Sequence, residues 1–81
     1  MNKAYYVMRT IQTDYGAEYS LVLGLTSSSD TATQIVMDDV ASMGVERGKW
    51  ERQGIDYSTY CGWYKDCDYY EYTIQEMEIK P

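Results

Sequence analysis

The side chains that carry out most enzyme chemistry are sparse in this sequence. Its 81 residues include no histidine and two cysteines, Cys61 and Cys67. Without histidine, a Ser-His-Asp or Cys-His arrangement is impossible, and the usual acid or base at neutral pH is missing. The many carboxylates near the cysteines disfavour the thiolate that a nucleophilic cysteine needs. We therefore expect a protein that is not an enzyme.

Metal-binding and phosphate-binding patterns are incomplete as well. A single C-x5-C pair without histidine does not complete a four-ligand zinc site. A calcium loop beginning at Asp66 would have Asp68 in place, but Glu71 stands where glycine is needed and Met77 where the closing glutamate belongs. No glycine-rich segment continues into the GK[ST] of a phosphate loop. The sequence predicts no metal and no cofactor.

The sequence also lacks the patterns of export and of membrane insertion. The longest uncharged apolar run, residues 19–25, is far shorter than the ~20 residues that a membrane-spanning helix needs. No cleavage pattern follows the first residues. We expect a cytoplasmic protein whose Cys61 and Cys67 are free thiols, with a disulfide across a hairpin as the alternative.

Negative charge and tyrosine are concentrated toward the carboxyl end. The chain has 13 acids and 7 bases, a net charge of −6, and residues 56–81 combine six acids and two lysines with six tyrosines and Trp63. A negative surface repels nucleic acid and anionic lipid and speeds encounters with basic partners. Stacking platforms for nucleic acid normally lie in basic grooves. We expect a protein partner with a basic surface, with no direct nucleic acid and no membrane.

The first half of the chain predicts a hairpin followed by a helix. Residues 3–12 and 19–26 alternate in polarity, and Asp14 and Gly16 between them favour a turn. Serines before Asp30 favour a helix from about residue 30 to 43, with Gly44 as its left-handed terminator. Its apolar stripe is Ala32, Ile35, Val36, Val40 and Met43. The neighbouring Asp38 and Asp39 are expected to form a solvated shoulder.

The second half predicts two more strands. Residues 48–55 favour a strand anchored by Trp50, and residues 57–64 favour a loop, with a single helical turn as an option. Residues 69–79 favour a final strand whose apolar phase shifts near Gln75, either at a bulge or because the strand is flat and two-sided. The prediction is one domain over residues 1–81, α+β, with an antiparallel sheet of about four strands packed against one helix in the order β-β-α-β-β.

The predicted binding surface combines carboxylates with tyrosines. Residues two apart in a strand lie on one side, so Asp66 with Asp68, and Glu76 with Glu78, are expected to form rows of negative charge that mimic a nucleic-acid backbone. Tyrosine supplies rigid contact area of the kind found at interface hot spots. The predicted partner-binding residues are Tyr60, Tyr64, Asp66, Asp68, Tyr69, Glu71, Glu76 and Glu78. Because the chain has no phenylalanine, Trp63, Tyr70 and Tyr72 are assigned to the core.

This combination resembles the small acidic phage-encoded proteins that disable host defences, anti-CRISPR proteins in particular. It is also similar in size and charge to the acidic immunity proteins that block bacteriocin nucleases. The resemblance rests on length, composition and architecture over the whole chain, not on a diagnostic motif, and it carries over no functional residue. It implies a stoichiometric inhibitor in the cytoplasm of a bacterial host, which occludes a basic nucleic-acid-binding or partner-docking surface of a CRISPR effector or nuclease.

Two other functions fit the same residues. One is a non-enzymatic phage accessory or assembly module that acts as a homodimer, with its C-terminal strand pairing edge to edge. The other is a carbohydrate-binding module that stacks sugars on tyrosine and tryptophan, although the lack of an export pattern disfavours it.

Overall fold

The computed structural model describes residues 2–52, 54 and 57–79, which form five strands and one helix. These elements are β1 (Asn2–Gln12), β2 (Glu18–Thr26), α1 (Ser29–Met43), β3 (Glu46–Arg52), β4 (Tyr57–Tyr64) and β5 (Asp68–Ile79). The strands make one antiparallel sheet in the order β2-β1-β5-β4-β3. The α+β class is confirmed. The prediction of about four strands in the order β-β-α-β-β is wrong, because a fifth strand is present.

The additional strand is β4, which occupies the segment predicted as a loop. Alternation along β4 turns Tyr60, Gly62 and Tyr64 toward the helix and Cys61 and Trp63 away from it. Gly62 disfavours a helix in the sequence-based prediction. In the structure it allows a close approach between β4 and the neighbouring strand β3. A Cβ atom at Gly62 would lie 2.5 Å from Val45 Cγ1. The strand predicted over residues 48–55 is β3, and residues 53 and 55 lie outside the described part.

The C-terminal strand β5 lies at the centre of the sheet. It pairs with β1 from Tyr69 to Ile79 without a register shift, and with β4 from Asp68 to Gln75. These registers contain no bulge near Gln75, which favours the alternative of a strand with apolar residues on both sides. Since both edges of β5 are occupied over residues 69–75, the edge-to-edge homodimer predicted for this strand is excluded along that stretch.

Helix α1 begins and ends where the sequence predicts, to within one residue. The Ser28 side chain accepts a hydrogen bond from the Thr31 amide at the N-terminus, and Gly44 ends the helix with a φ of 72°. The stripe buries Ala32 and Val36 against the sheet. In the described part of the chain, no helix combines the length and apolar character needed to cross a membrane.

The core lies between α1 and the face of the sheet that the helix covers. Its buried members are Val7, Ala32, Val36, Val45, Tyr70 and Tyr72. The assignment of Tyr70 and Tyr72 to the core is confirmed. The assignment of Trp63 is wrong, because its position in β4 turns it to the opposite face, where it is 37% exposed.

Candidate protein-binding surface

The two faces of the sheet are unequal, since α1 covers one and no described element covers the other. Side chains at even positions of β1 and odd positions of β5 point toward this second face, which we call the open face. Its members include Tyr6, Met8, Cys61, Trp63, Tyr69, Glu71 and Met77. A sheet face of this kind offers a broad surface on a rigid backbone.

The main aromatic feature of the open face is a pair of rings. Trp63 of β4 lies directly opposite Tyr69 of β5. Their ring centroids are 5.0 Å apart with an interplanar angle of 63°, an edge-to-face arrangement. Such contacts are favourable beyond the area that they bury, so each ring restrains the other. The pair therefore offers a partner contact area whose conformation is already set.

Charged side chains follow this pair along the same face, since Glu71 and Lys49 flank Cys61 and Glu51 lies one pair further on. Cys61 Sγ lies 4.0 Å from Glu71 Oε2 on the neighbouring strand. The pKa of Tyr69 is raised to about 12, first by its hydrogen bond with Cys61, then by burial, and then by the charges of Cys61, Glu71 and Glu51. Glu51 of β3 therefore also contributes to the negative field at this ring. We call Glu51, Cys61, Trp63, Tyr69 and Glu71 together the Trp63 patch.

Only two of the eight predicted partner-binding residues, Tyr69 and Glu71, belong to this patch. The registers turn Asp68, Glu76 and Glu78 to the side that carries the helix. Glu76 is already engaged there, since Lys3 Nζ lies 3.2 Å from its Oε2. The predicted set does not form one continuous surface, because it mixes both parities of the strands.

The remaining predicted residues lie against the core or in a turn. Tyr60 packs on the helix side, with its ring 5.1 Å from that of Trp50, and Tyr64 packs beside Tyr70. Asp66 lies in the turn between β4 and β5 with a φ of 59° and forms an ion pair with Arg47. The predicted row of Asp66 and Asp68 is therefore wrong, because Asp66 is not in a strand.

A second charged site lies partly buried between the helix and the sheet. Arg9 Nη1 donates to both carboxylate oxygens of Asp39 at 3.0 and 2.9 Å, and the Tyr72 hydroxyl donates to Asp39 Oδ2 at 2.7 Å. Asp38 is exposed as predicted, whereas the prediction for Asp39 is wrong. The sequence contains a signal for this position, since Asp39 shares the helical phase of the buried Ala32 and Val36. Asp39 accepts from both Arg9 Nη1 and the Tyr72 hydroxyl, which suits a structural role, whereas Arg9 Nε is buried without a hydrogen-bond partner among the described residues.

A cleft of about 320 Å³ lies on the helix side. It is lined by Tyr5, Ser29, Thr33, Trp50, Arg52, Tyr57, Ser58, Ile74 and Glu76. Its charged groups already have partners, because Glu76 pairs with Lys3 and Arg52 Nε donates to the Gly54 carbonyl at 2.8 Å. The Trp63 patch is therefore the stronger candidate for recognition.

The cysteines are free thiols, as predicted. Cys61 pairs with Glu71 across β4 and β5, whereas Cys67 is exposed in the turn and lies near the Lys65 carbonyl, so the two thiols are not opposite each other. Within residues 2–52, 54 and 57–79, no three Cys, Asp or Glu side chains are grouped to hold a metal ion.

No protein-family model, curated protein or solved structure matches this chain.

We expect the protein to lose stability in alkali because of the tyrosines on the two faces of β5. Burial raises the pKa of Tyr70 and Tyr72, and the hydrogen bond to Asp39 raises that of Tyr72 further. The folded protein holds these protons more tightly than the unfolded chain. The contribution of these tyrosines to the free energy of unfolding is therefore fully present below about pH 10 and is lost as the pH rises above it. For Tyr69 the loss extends to about pH 12.

Urea unfolding across this pH range, followed with phenolate absorbance, measures the effect. The Tyr69→Phe variant should lose less stability than the wild type as the pH rises through this range. A free energy of unfolding that stays level from about pH 10 to pH 12 would contradict the prediction.

Proposed function

We propose that this protein is a stoichiometric inhibitor that binds a basic protein surface through the Trp63 patch. The observation that supports this most directly is the edge-to-face pair of Trp63 and Tyr69 on an uncovered sheet face, with Glu71 and Glu51 further along that face. Tryptophan and tyrosine are the side chains most enriched at interface hot spots. Because the rings already restrain each other, binding costs little side-chain entropy.

The charge of the chain selects the partner. The net charge is −6, and the carboxylates of Glu51 and Glu71 lie beside the rings that would make contact. Complementary charge increases the rate of association and disfavours partners of like charge. A basic surface, such as a groove that binds nucleic acid, is therefore the preferred target.

The partner class comes from the resemblance to anti-CRISPR proteins. A CRISPR effector holds its guide and target in a positively charged channel. An acidic protein that covers such a channel, or a docking surface beside it, excludes the nucleic acid without any catalytic step. We therefore propose that the partner is a CRISPR effector complex of a bacterial host and that inhibition is by steric and electrostatic occlusion. A homodimeric accessory module is the second proposal, supported by the free edge of β2.

The test uses purified CRISPR effector complexes and labelled target DNA. We expect the protein to prevent target binding by one effector with a stoichiometric end point. Trp63→Ala and Tyr69→Ala should each weaken that inhibition by about 30-fold, the equivalent of about 2 kcal/mol at a hot spot. Tyr15→Ala is the control, because Tyr15 is an exposed aromatic residue of the β1–β2 turn that is not part of the patch.

Charge reversal separates recognition by the patch from general acidity. Glu51→Lys/Glu71→Lys should slow association at low salt and reduce its dependence on salt. Asp66→Lys/Asp68→Lys changes the net charge equally but lies off the open face. Equal effects of the two double variants would contradict binding through the Trp63 patch, as would retention of the protein by the labelled DNA itself.

A further inference from the structure

The two edges of the sheet differ in how well they are protected. At one edge, β2 carries a single charged side chain, Glu18, over nine residues. Four of its large apolar side chains are more than half exposed: Tyr19 (61%), Leu21 (53%), Val22 (51%) and Leu25 (64%). No described strand pairs with its outer edge. A long uncharged edge of this kind is a template for pairing with another strand.

The opposite edge, β3, has the features that prevent such pairing. Its seven residues, ERGKWER, include five charged side chains. A register shift interrupts the strand between Glu46 and Lys49, and Arg47 has a φ of 57°. Charges and irregular backbone are the usual means by which an edge strand is blocked. The β2 ladder has one register shift too, opposite Val7 and Met8, but residues 18–22 before it are regular.

We propose that β2 is the dimer interface of this protein and that its occupant is a second copy of the same chain. The two β2 strands pair antiparallel about a two-fold axis, so that the two five-stranded sheets join into one. The backbone groups at the free edge of β2 then find partners, and its apolar side chains gain cross-strand neighbours from the second copy.

Charge explains why a second copy fits this edge. Each chain has a net charge of −6, so most approaches between two copies bring like charges together. An antiparallel register centred between Tyr19 and Val22 places Glu18 of one copy opposite an uncharged residue of β2 in the other. The pair therefore meets without the destabilising contact of like charges directly across strands. The other occupant of such an edge, an extended segment of a different protein, is an outcome of the test below.

The two-fold axis fixes the arrangement of the dimer. An axis perpendicular to the sheet keeps each face on its own side, so both α1 helices lie on one side and both open faces on the other. The Trp63 patch lies on β5, β4 and β3, so β1 separates it from β2 in the strand order. Self-association through β2 therefore leaves the patch accessible in both copies.

Sedimentation equilibrium of the purified chain over micromolar to millimolar concentration tests the proposal. We expect the mass to rise from 9.4 kDa to twice that value. Tyr19→Lys/Leu21→Lys adds two charges to the regular part of β2 and should raise the dimer dissociation constant by at least about tenfold. Gln34→Lys/Ala41→Lys adds the same charge to the exposed side of α1 and should leave the dissociation constant unchanged.

Hydrogen exchange of the wild-type chain locates the interface without any substitution. Amides of β2 should gain protection as the concentration rises, while those of β3 should not. This measurement decides the question if the β2 double variant does not fold. A mass that stays at 9.4 kDa throughout would overturn the proposal, as would a dimer whose protection appears in another strand or one that the β2 variant retains at full strength.

The outcome is independent of the inhibitor proposal. Tyr19 and Leu21 point to the helix side of the sheet, so the β2 variant leaves the Trp63 patch unaltered. A monomeric variant that still inhibits its effector would show that the two proposals stand separately.

Discussion

Asp39→Ala should reduce the free energy of unfolding by about 3–5 kcal/mol, a large part of what a domain of this size has. The substitution leaves the Arg9 guanidinium and the Tyr72 hydroxyl without their shared acceptor. The side chain of Arg9 is 14% exposed and Tyr72 is fully buried, so water does not replace the lost carboxylate well. A buried charge that has lost its partner costs more than the ion pair itself contributes. Urea unfolding followed by circular dichroism measures the loss.

The neighbouring carboxylate provides the control. Asp38→Ala removes an exposed carboxylate whose only described hydrogen bond is with Gln34 on the same helix, and it should change stability by less than about 0.5 kcal/mol. The triple variant Arg9→Met/Asp39→Leu/Tyr72→Phe removes all three polar groups together and should recover most of the lost stability. If Asp39→Ala and Asp38→Ala proved equally stable, the buried network would have no energetic role.

Gly62→Ala should destabilise the protein by about 1–3 kcal/mol, because an added methyl group overfills the contact between β3 and β4. The new Cβ would lie 2.5 Å from Val45 Cγ1 and 2.9 Å from the Glu46 carbonyl oxygen. The carbonyl belongs to the backbone of β3, so relief requires that strand to move away from β4. The shift of the thermal midpoint gives the cost, and amide exchange in β3 shows whether that strand is the one that moves.

Gly24→Ala is the matched control for this substitution. Its Cβ would meet the Ile35 Cδ1 atom at 3.0 Å, the flexible end of a side chain that can turn aside. The loss should therefore be smaller than at Gly62. Adding Val45→Ala to Gly62→Ala removes the shortest contact and should reduce the extra cost of the alanine at position 62. Equal losses at Gly24 and Gly62 would contradict the close approach between β3 and β4.

The local elements of the fold could be predicted from the sequence because their signals are local. Alternation predicted β1 and β2, and the serine cap and Gly44 predicted both ends of α1. The strand β4 was missed because its tyrosines also fit helical spacing, while Gly62 was interpreted only as a helix breaker. Glycine is needed at position 62 because β3 packs closely against β4 there. No pattern within β4 itself indicates that close packing.

The candidate site could be predicted only in part. Tyr69 and Glu71 were named, but Trp63 was assigned to the core and Glu51 was not considered. The alternation of a strand shows which of its residues share a face. It does not show which of the two faces the helix covers, because that depends on how the whole chain packs. The contribution of Glu51 depends on the β3–β4 register, and that register contains an irregularity between Glu46 and Lys49. The prediction that Asp66 lies in a strand was wrong because Asp66 lies in the turn that follows β4.

The position of β5 between β1 and β4 has a consequence for the newly made chain. During translation the β1–β2 and β3–β4 hairpins leave the ribosome before the strand that joins them. Tyr70 and Tyr72, which fill the core, arrive with that strand, so Val7 and Val36 have no complete interior until then. Joining the first strand to the fifth also closes the longest loop in the chain, which makes this a slow step. The nascent protein therefore acquires its stable structure only as synthesis of β5 is completed, and a chain cut short before Tyr70 should be cleared as unfolded protein.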